Sequence, residues 1–182
     1  MITPAAFLRL VIVPSTRVLS KLTGKDMGGD AAHVELLAIA PQESGLEHRR
    51  QVDSSGQPID HLARGWYQFE EGGGVHGVMT HPASKDYAEI ICDGMCVPFN
   101  EDDVHEAIAW NGFLATFFAR LLLWTDAAPL PAVGDEDGAW NYYIRNWRPG
   151  KPHPETWPVN YRQSVYAVTY STQIDLSGGG EV

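Results

Sequence analysis

The stretch from Asp30 to Ser44 constrains the fold more than any other part of the sequence. Its apolar residues recur at the spacing of one helical face, as Val34, Leu37, Ala38 and Pro41. The other faces are apolar too, through Leu36, Ile39 and Ala40. Asp30 can cap such a helix, and a helix that is apolar all round is stable only when neighbouring elements cover it. We therefore predict a buried core helix over 30–44 and a mainly α fold around it.

The rest of the chain predicts more helices, one excursion and an irregular end. Hydrophobic spacing indicates helices over 74–80, 84–92, 102–124 and 136–147. Residues 47–65 are polar and contain the turn signals SSGQP, which are typical of a loop. Prolines are frequent between 148 and 164, so we expect extended coil there. The YAVTYST stretch, 166–172, predicts either a strand or the end of a helix.

Length and charge distribution predict one domain with a segment on either side. The chain has 182 residues, which is an ordinary size for a single domain. Residues 1–29 are expected to form a basic helical arm, because basic residues up to position 25 are accompanied by no acid. Residues 30–172 then form the domain, and residues 173–182, which end in SGGGEV, a flexible tail.

The overall charge and hydropathy exclude several classes of partner. The formal net charge is −10, whereas binding to a phosphate backbone needs clustered positive charge. The most apolar stretch, 113–124, is shorter than the ~18–20 residues that span a bilayer. The apolar run 5–13 contains Arg9 and follows no basic residue, so it lacks the form of an export signal. We expect no nucleic-acid partner, no membrane span and no export signal.

The side chains that could bind metal lack the spacing of a metal site. Cys92 and Cys96 form neither a CxxC pair nor a disulfide framework, and we expect two small semi-buried thiols. The acidic stretch 93–106 lacks the alternating ligands and central glycine of an EF-hand; Asn100 predicts a capped helix start there instead. The histidines form no HExxH motif. We expect neither a metal nor a cofactor.

One carboxylate, that of Glu43, stands where the core helix ends. Apolar neighbours disfavour the charged form of a Glu, so its pKa rises and it can hold a proton near neutrality. A carboxylic acid of this kind protonates the leaving oxygen of a glycosidic bond. The alternative is that Glu43 simply faces solvent in the last helical turn.

Two motifs in order resemble the lysozyme-like superfamily, specifically the soluble-lytic-transglycosylase-like domains of phage type. Glu43-Ser44 is followed by Ala63-x-Gly65-Trp66-x-Gln68, with 25 residues from the Glu to the Gln. In that family a Glu-Ser pair at the end of a core helix precedes an A-x-G-L-x-Q stretch. The resemblance covers roughly residues 31–165 and implies a lysozyme-like helical domain with a substrate groove. Trp66 replaces the family's Leu, and the third family motif, A-Y-N-A-G, is matched only in part, at 109–112 and 139–143.

The resemblance implies cleavage of peptidoglycan glycan strands by a single acid. Glu43 would protonate the bridging oxygen and then take a proton from the muramoyl C6 hydroxyl, which closes a 1,6-anhydro ring. The expected substrate-binding residues are Ser44, Gly65, Trp66, Gln68 and Tyr143. Trp66 and Tyr67 offer flat faces for sugar rings, or else belong to the core. A two-carboxylate mechanism needs a second acid, and the candidates are Asp53, Asp60 and Glu70.

Three classes of function follow from these features. The first is a phage-encoded lytic transglycosylase, carried in the virion or made in the host cytoplasm, whose partners are glycan strands and other virion proteins. The second is a non-catalytic virion or tail protein that keeps the fold. The third is a muropeptide-binding module with a dead site. Glu43 and the ARGWYQ stretch favour the enzyme, whereas the acidic charge and the incomplete third motif favour the structural protein.

Overall fold

The computed structural model describes residues 2–50, 55 and 62–177, and the side chains as far as residue 170. Within these residues the protein is mainly helical, as predicted, and β pairing is limited to isolated bridges of Arg64 with Arg50 and with Phe69. The helices are α1 Pro4–Phe7, α2 Val13–Thr23, α3 Asp30–Ser44, α4 His76–Thr80, α5 Lys85–Gly94, α6 Glu101–Trp110, α7 Gly112–Thr125, α8 Glu136–Trp147 and α9 Trp157–Ser177. Single π-helical turns, Leu8–Ile12 and Glu71–Val75, precede α2 and α4.

Helix α3 is the buried core helix that its sequence predicts. Residues 36–40 have no exposed surface at all, and helices α1, α7, α8 and α9 contribute to the same hydrophobic core. The helix ends at Gly45, whose left-handed backbone (φ 62°) lets its N–H bond the Pro41 carbonyl oxygen. The core therefore fixes the position of the last turn, which carries Glu43.

The N-terminal segment packs into the same core as α3. Phe7, Leu8, Ile12 and Leu19 are buried in it. Arg120 of α7 is also buried, and its Nε donates a 2.7 Å hydrogen bond to the Met27 carbonyl oxygen in the connection from α2 to α3. The segment predicted as a basic arm thus contributes side chains to the core, while Leu10 and Val18 stay exposed.

The helix predicted over 102–124 is two helices, which is a correction. The chain bends by 118° between α6 and α7, because the backbone of Asn111 is extended. The Asn111 side chain accepts hydrogen bonds from the Phe113 and Leu114 N–H groups, each 3.1 Å long, and so caps α7. Phe117 in α7 is buried as expected, whereas Phe113 beside the bend is 41% exposed.

In the described part of the chain, no helix taken singly has the length and hydropathy to cross a membrane. Helices α6 and α7 pass that test only as a pair joined across their bend.

The coil predicted over 148–164 ends at residue 156, and of the two options for 166–172 the structure has the helix. Helix α9 begins at Trp157 inside the segment predicted as coil, and it includes the 166–172 stretch for which a strand was an option. Pro158 does not prevent this, because it lies in the first helical turn, where its missing N–H would have no partner in any case. The helix extends to Ser177, and residues 178–182 of the expected tail lie outside the described residues.

Candidate functional site

Glu43 lies in the last turn of α3 and is held by a side chain from α8. The Tyr143 hydroxyl donates a 2.6 Å hydrogen bond to Glu43 Oε1. Tyr143 is itself buried, and its ring stacks on Trp157 of α9 with centroids 5.2 Å apart and planes 12° apart. Helices α3, α8 and α9 therefore fix both the carboxyl and its donor.

The surroundings of Glu43 favour its protonated form. Burial raises its pKa, the Tyr143 hydrogen bond opposes that rise, and the negative charge of Glu70 adds to it, so that the pKa is about 7. Glu43 is half-buried rather than solvent-facing. A carboxyl with this pKa is present in both protonation states near neutral pH. A catalytic group that first donates a proton and then accepts one needs both states.

Ser44 joins the two sequence motifs. Its hydroxyl lies 2.8 Å from the carbonyl oxygens of both Ala40 and Trp66, and it also accepts a 3.3 Å hydrogen bond from the Leu46 N–H. Because Ser44 is buried and its hydroxyl bonds the backbone, this structure gives it a role in attaching the Gly65–Gln68 turn to the end of α3.

Gly65 occupies a position that a side chain would disturb. Its φ is +76°, in the left-handed region, and a Cβ there would lie 2.7 Å from both Cγ2 and the carbonyl oxygen of Ile108 in α6. Its N–H donates a 2.8 Å hydrogen bond to the Arg49 carbonyl oxygen. Gly65 thus allows the turn to pack closely against α6.

Gln68 directs its amide into its own turn. Gln68 Nε2 donates to the Gly65 carbonyl oxygen at 2.8 Å and to the His48 carbonyl oxygen at 3.4 Å. The backbone of Gln68 is also left-handed, with φ 46°. Among the described hydrogen bonds the partner of Glu43 is Tyr143, and none joins Glu43 to Gln68.

The aromatic residues of the turn are core residues. Tyr67 has no exposed surface, so the option that its face binds a sugar ring is wrong. Trp66 is 7% exposed, with the Arg49 guanidinium 4.4 Å from its ring centroid and Phe7 against its edge. Trp147 of α8 donates a 2.9 Å hydrogen bond from Nε1 to the Tyr67 carbonyl oxygen. The turn is thereby attached to α8 as well as to α3.

Gln42, beside Glu43, is a site residue that the sequence did not reveal. Gln42 Oε1 accepts hydrogen bonds from Thr156 Oγ1 (3.0 Å) and Asn160 Nδ2 (2.9 Å), and Nε2 donates to the His153 carbonyl oxygen (2.9 Å). A glutamine in the last turn of a helix carries no motif that predicts these contacts. It attaches the 153–156 segment and α9 to the residue next to the candidate acid.

Of the three candidates for a second acid, Glu70 is the one that lies among the described residues. Its charge raises the pKa of Glu43, and its side chain is exposed. The other two candidates, Asp53 and Asp60, lie outside the described residues. Over residues 2–50, 55 and 62–177, no three His, Cys, Asp or Glu side chains are grouped so that they could hold a metal ion. Cys92 and Cys96 are free thiols, but Cys92 is buried and Cys96 exposed, so the expectation that both are semi-buried was wrong.

A groove of about 760 Å³ opens next to this region. It begins at Leu46, beyond the end of α3, includes Trp66 and Arg49, and reaches the α6–α7 bend; Glu43 and Gln68 are not among its lining residues. Comparison of the chain with protein-family models, curated proteins and solved structures finds no match.

Proposed function

We propose that this protein cleaves peptidoglycan glycan strands, with Glu43 as both acid and base. The observation that supports the proposal is the Glu43 carboxyl itself, placed at the end of a core helix, bonded by Tyr143 and given a pKa of about 7 by burial. A carboxyl in this state is suited to protonating a glycosidic oxygen. The two motifs that predicted the site are in contact through Ser44 and Trp66.

The reaction needs no water and no second carboxylate. The Glu43 proton passes to the oxygen that bridges N-acetylmuramic acid and N-acetylglucosamine, and the bond from that oxygen to the muramoyl C1 breaks. The acetamido oxygen of the substrate stabilises the positive charge that develops at C1. The Glu43 carboxylate then takes the proton of the muramoyl C6 hydroxyl, and O6 bonds C1 to close the 1,6-anhydro ring. Glu43 ends the cycle protonated, as it began.

Tyr143 positions the acid in this mechanism. Because Tyr143 bonds Oε1, the other carboxylate oxygen, Oε2, would be the one to exchange protons with the substrate. The hydroxyl donates most strongly to the ionised carboxylate, so it stabilises Glu43 after the first proton transfer. Glu70 is exposed near Glu43 and is the described residue that would serve as base if water replaced the C6 hydroxyl.

A non-catalytic virion or tail module is the second candidate. The inward orientation of Gln68 and the burial of Trp66 and Tyr67 favour it, because these side chains would otherwise be free to bind sugar. The phage origin and the virion location come from the sequence resemblance and belong to the proposal in both cases.

The experiment that separates these functions is the release of muropeptides from intact peptidoglycan, followed by mass spectrometry. We expect products with 1,6-anhydro ends, which lack one water relative to hydrolysed ends. Glu43→Gln should reduce release by ~10²–10⁴-fold, the usual contribution of a general acid–base group. Glu89→Gln, which changes an exposed acid of α5, is the matched control and should retain full release.

Two other outcomes contradict the proposal in different ways. Reducing ends would indicate a hydrolase that uses Glu70, Asp53 or Asp60 as its base. Folded protein that releases nothing from several types of wall would favour the structural module.

A further inference from the structure

The groove beside the end of α3 does not include Glu43, so strand cleavage by Glu43 leaves its polar and aromatic lining without a function. It lies between the N-terminal segment, the residues after α3 and the α6–α7 bend, with a volume of about 760 Å³. Its apolar lining includes Ile2, Val11, Trp66, Trp110 and Phe113. Trp110 is 61% exposed and Phe113 is 41% exposed, although both flank a bend between otherwise well-packed helices. Large aromatic side chains exposed in a groove are typical of a binding site.

Arg49 supplies a positive charge in this groove. Its guanidinium lies over the Trp66 ring, and its Nη1 donates a 3.0 Å hydrogen bond to the Trp110 carbonyl oxygen. The nearby Arg50 and Arg64 both pair with Glu106 of α6. Among the described residues no carboxylate lies within ion-pair distance of Arg49, and these contacts leave donors of its planar guanidinium for a ligand. The guanidinium is therefore fixed in place and suited to a carboxylate ligand.

Glu47 supplies a negative charge in the same groove. Its side chain is 53% exposed, and its partner in the described part of the chain is His48, 3.9 Å away. A groove with one guanidinium, one carboxylate and aromatic walls fits a small molecule that carries a carboxylate, an amine and apolar groups together. A neutral sugar chain would leave Arg49 without a carboxylate partner and Glu47 with His48 alone.

We propose that this groove binds the peptide stem of a peptidoglycan strand, an inference that rests on the proposed function. The stem is a short peptide with carboxylates, an amine and methyl groups, and it is attached to the muramic acid whose bond is cleaved. The groove begins at Leu46, and Ser44, the neighbour of Glu43, bonds the backbone of Trp66 in its floor. Stem and glycosidic bond would thus be held on adjoining parts of one surface.

The proposal is tested with a soluble stem tetrapeptide that carries free carboxylates and a free amine. It is titrated into the protein while the indole N–H signals of Trp66 and Trp110 are followed by NMR. We expect both signals to shift, and we expect Arg49→Gln to weaken binding about ten- to a hundredfold, as for loss of a hydrogen bond to a charged group. Arg17→Gln removes an exposed charge on α2 and should bind as the unaltered protein does.

A second variant keeps the test decisive if Arg49→Gln fails to fold. Trp110→Ala removes an exposed wall of the groove and leaves Arg49 in place, and it should weaken binding by a similar factor. A stem tetrapeptide whose carboxylates are amidated and whose amine is acetylated should bind at least tenfold more weakly than the free stem, because it offers no charge to Arg49 or Glu47. Equal affinity for the two peptides, or unchanged indole signals at millimolar stem peptide, would overturn the proposal.

The test also separates this inference from the proposed function. Glu43→Gln should bind the stem as tightly as the unaltered protein, because the groove does not include Glu43. If the protein binds the stem through Arg49 but cleaves no wall, the groove proposal holds and the proposed enzymatic function is wrong. If it cleaves the wall but does not bind the stem, the enzymatic function holds and the groove proposal is wrong.

Discussion

Tyr143 and Glu43 are 100 residues apart in the chain, yet the tyrosine hydroxyl donates a 2.6 Å hydrogen bond to the carboxylate. Two opposing effects act on the pKa of Glu43. Burial favours the neutral acid, whereas the hydrogen bond favours the anion, and the resulting pKa of Glu43 is about 7. The proton affinity of the candidate acid is therefore set by both the core around α3 and one hydroxyl of α8.

Replacing Tyr143 by Phe removes that hydroxyl and retains the stack on Trp157. The ionised form of Glu43 loses its donor, so the pKa of Glu43 should rise by about one pH unit, equivalent to about 1.4 kcal/mol. If cleavage requires protonated Glu43, activity falls as the pH rises through its pKa of about 7. The pH profile of Tyr143→Phe should therefore decline at a higher pH, and its maximum rate should be lower. A lower rate with an unmoved profile would mean that Tyr143 has only a structural role.

Glu43→Gln should stabilise the protein above about pH 4.5, increasingly so up to about pH 7. The pKa of Glu43 is 4.5 in the unfolded chain and about 7 in the folded one, so between these values the folded state retains a proton that the unfolded state has lost. The unaltered protein therefore loses stability as the pH rises through this window. The advantage of Glu43→Gln should grow across it to roughly 2–3 kcal/mol in the free energy of unfolding, measured in urea. If the free energies of unfolding of the two proteins changed with pH in parallel, the pKa of Glu43 would not be raised. Glu89→Gln is the control.

Glu35 is a second buried acid of α3, away from the candidate site. Its side chain is 2% exposed, its Oε1 has no hydrogen-bond partner among the described residues, and burial raises its pKa well above the usual value. The ionisable groups that face it are Tyr142 of α8 and Tyr161 of α9, and neither supplies positive charge.

Glu35→Met should therefore raise the free energy of unfolding, by about 1–3 kcal/mol, the usual penalty of an unsatisfied buried polar group. The gain should be smallest below the unfolded pKa of 4.5, where the carboxyl is neutral in both states, and should increase as the pH rises. Urea unfolding at about pH 4 and about pH 8 measures it. Destabilisation at both pH values would show that Glu35 has a partner that holds it in place.

Gly65→Ala should be more destabilising than Gly45→Ala. Both glycines have a left-handed backbone, so each substitution incurs the conformational cost of ~1–2 kcal/mol. Only at Gly65 would the new Cβ also lie 2.7 Å from atoms of Ile108, whereas nothing lies within 4 Å of a Cβ at Gly45. We expect the melting temperature to fall further for Gly65→Ala. Equal decreases would show that the turn can move away from α6.

Phe117→Ala and Phe113→Ala test the bend between α6 and α7. Phe117 is 4% exposed and Phe113 is 41% exposed, one helical turn apart. Truncation of a buried Phe costs ~3–5 kcal/mol, which lowers the melting temperature by roughly 6–20 °C in a protein of this size. The Phe113 variant should change it by a small fraction of that amount. Similar losses would mean that the first turn of α7, beside the bend, is covered as fully as the second.

The elements that sequence predicted well are those whose pattern is local. Helix α8 has the predicted bounds, and Asn100 caps α6 through a 3.0 Å bond from the Asp103 N–H. The bend at Asn111 was missed because the hydrophobic spacing continues through it, and only an asparagine before a glycine marks the new start. The start of helix α9 was missed because the many prolines between 148 and 164 indicated coil. Pro158 lies in the first turn of the helix, where a proline is tolerated.

The candidate site likewise has features that the local sequence predicts and features that it does not. The position of Glu43 at the end of a core helix followed from periodicity, and its raised pKa followed from that position. The orientation of Gln68 depends on the left-handed turn in which it lies, and the contacts of Gln42 depend on a helix more than 100 residues away. Such contacts are decided by tertiary packing, and a single sequence contains no local pattern for them.

The Gln42 contacts have a consequence for the order of events during synthesis. A ribosome produces α3 long before it produces the 153–160 segment that Gln42 binds and the Trp157 ring that supports Tyr143. Before α8 and α9 pack on α3, Glu43 lacks the Tyr143 hydrogen bond and the full burial that set its pKa in the folded protein. Under the proposed function, cleavage would therefore begin only after the last two helices have been made and packed on α3.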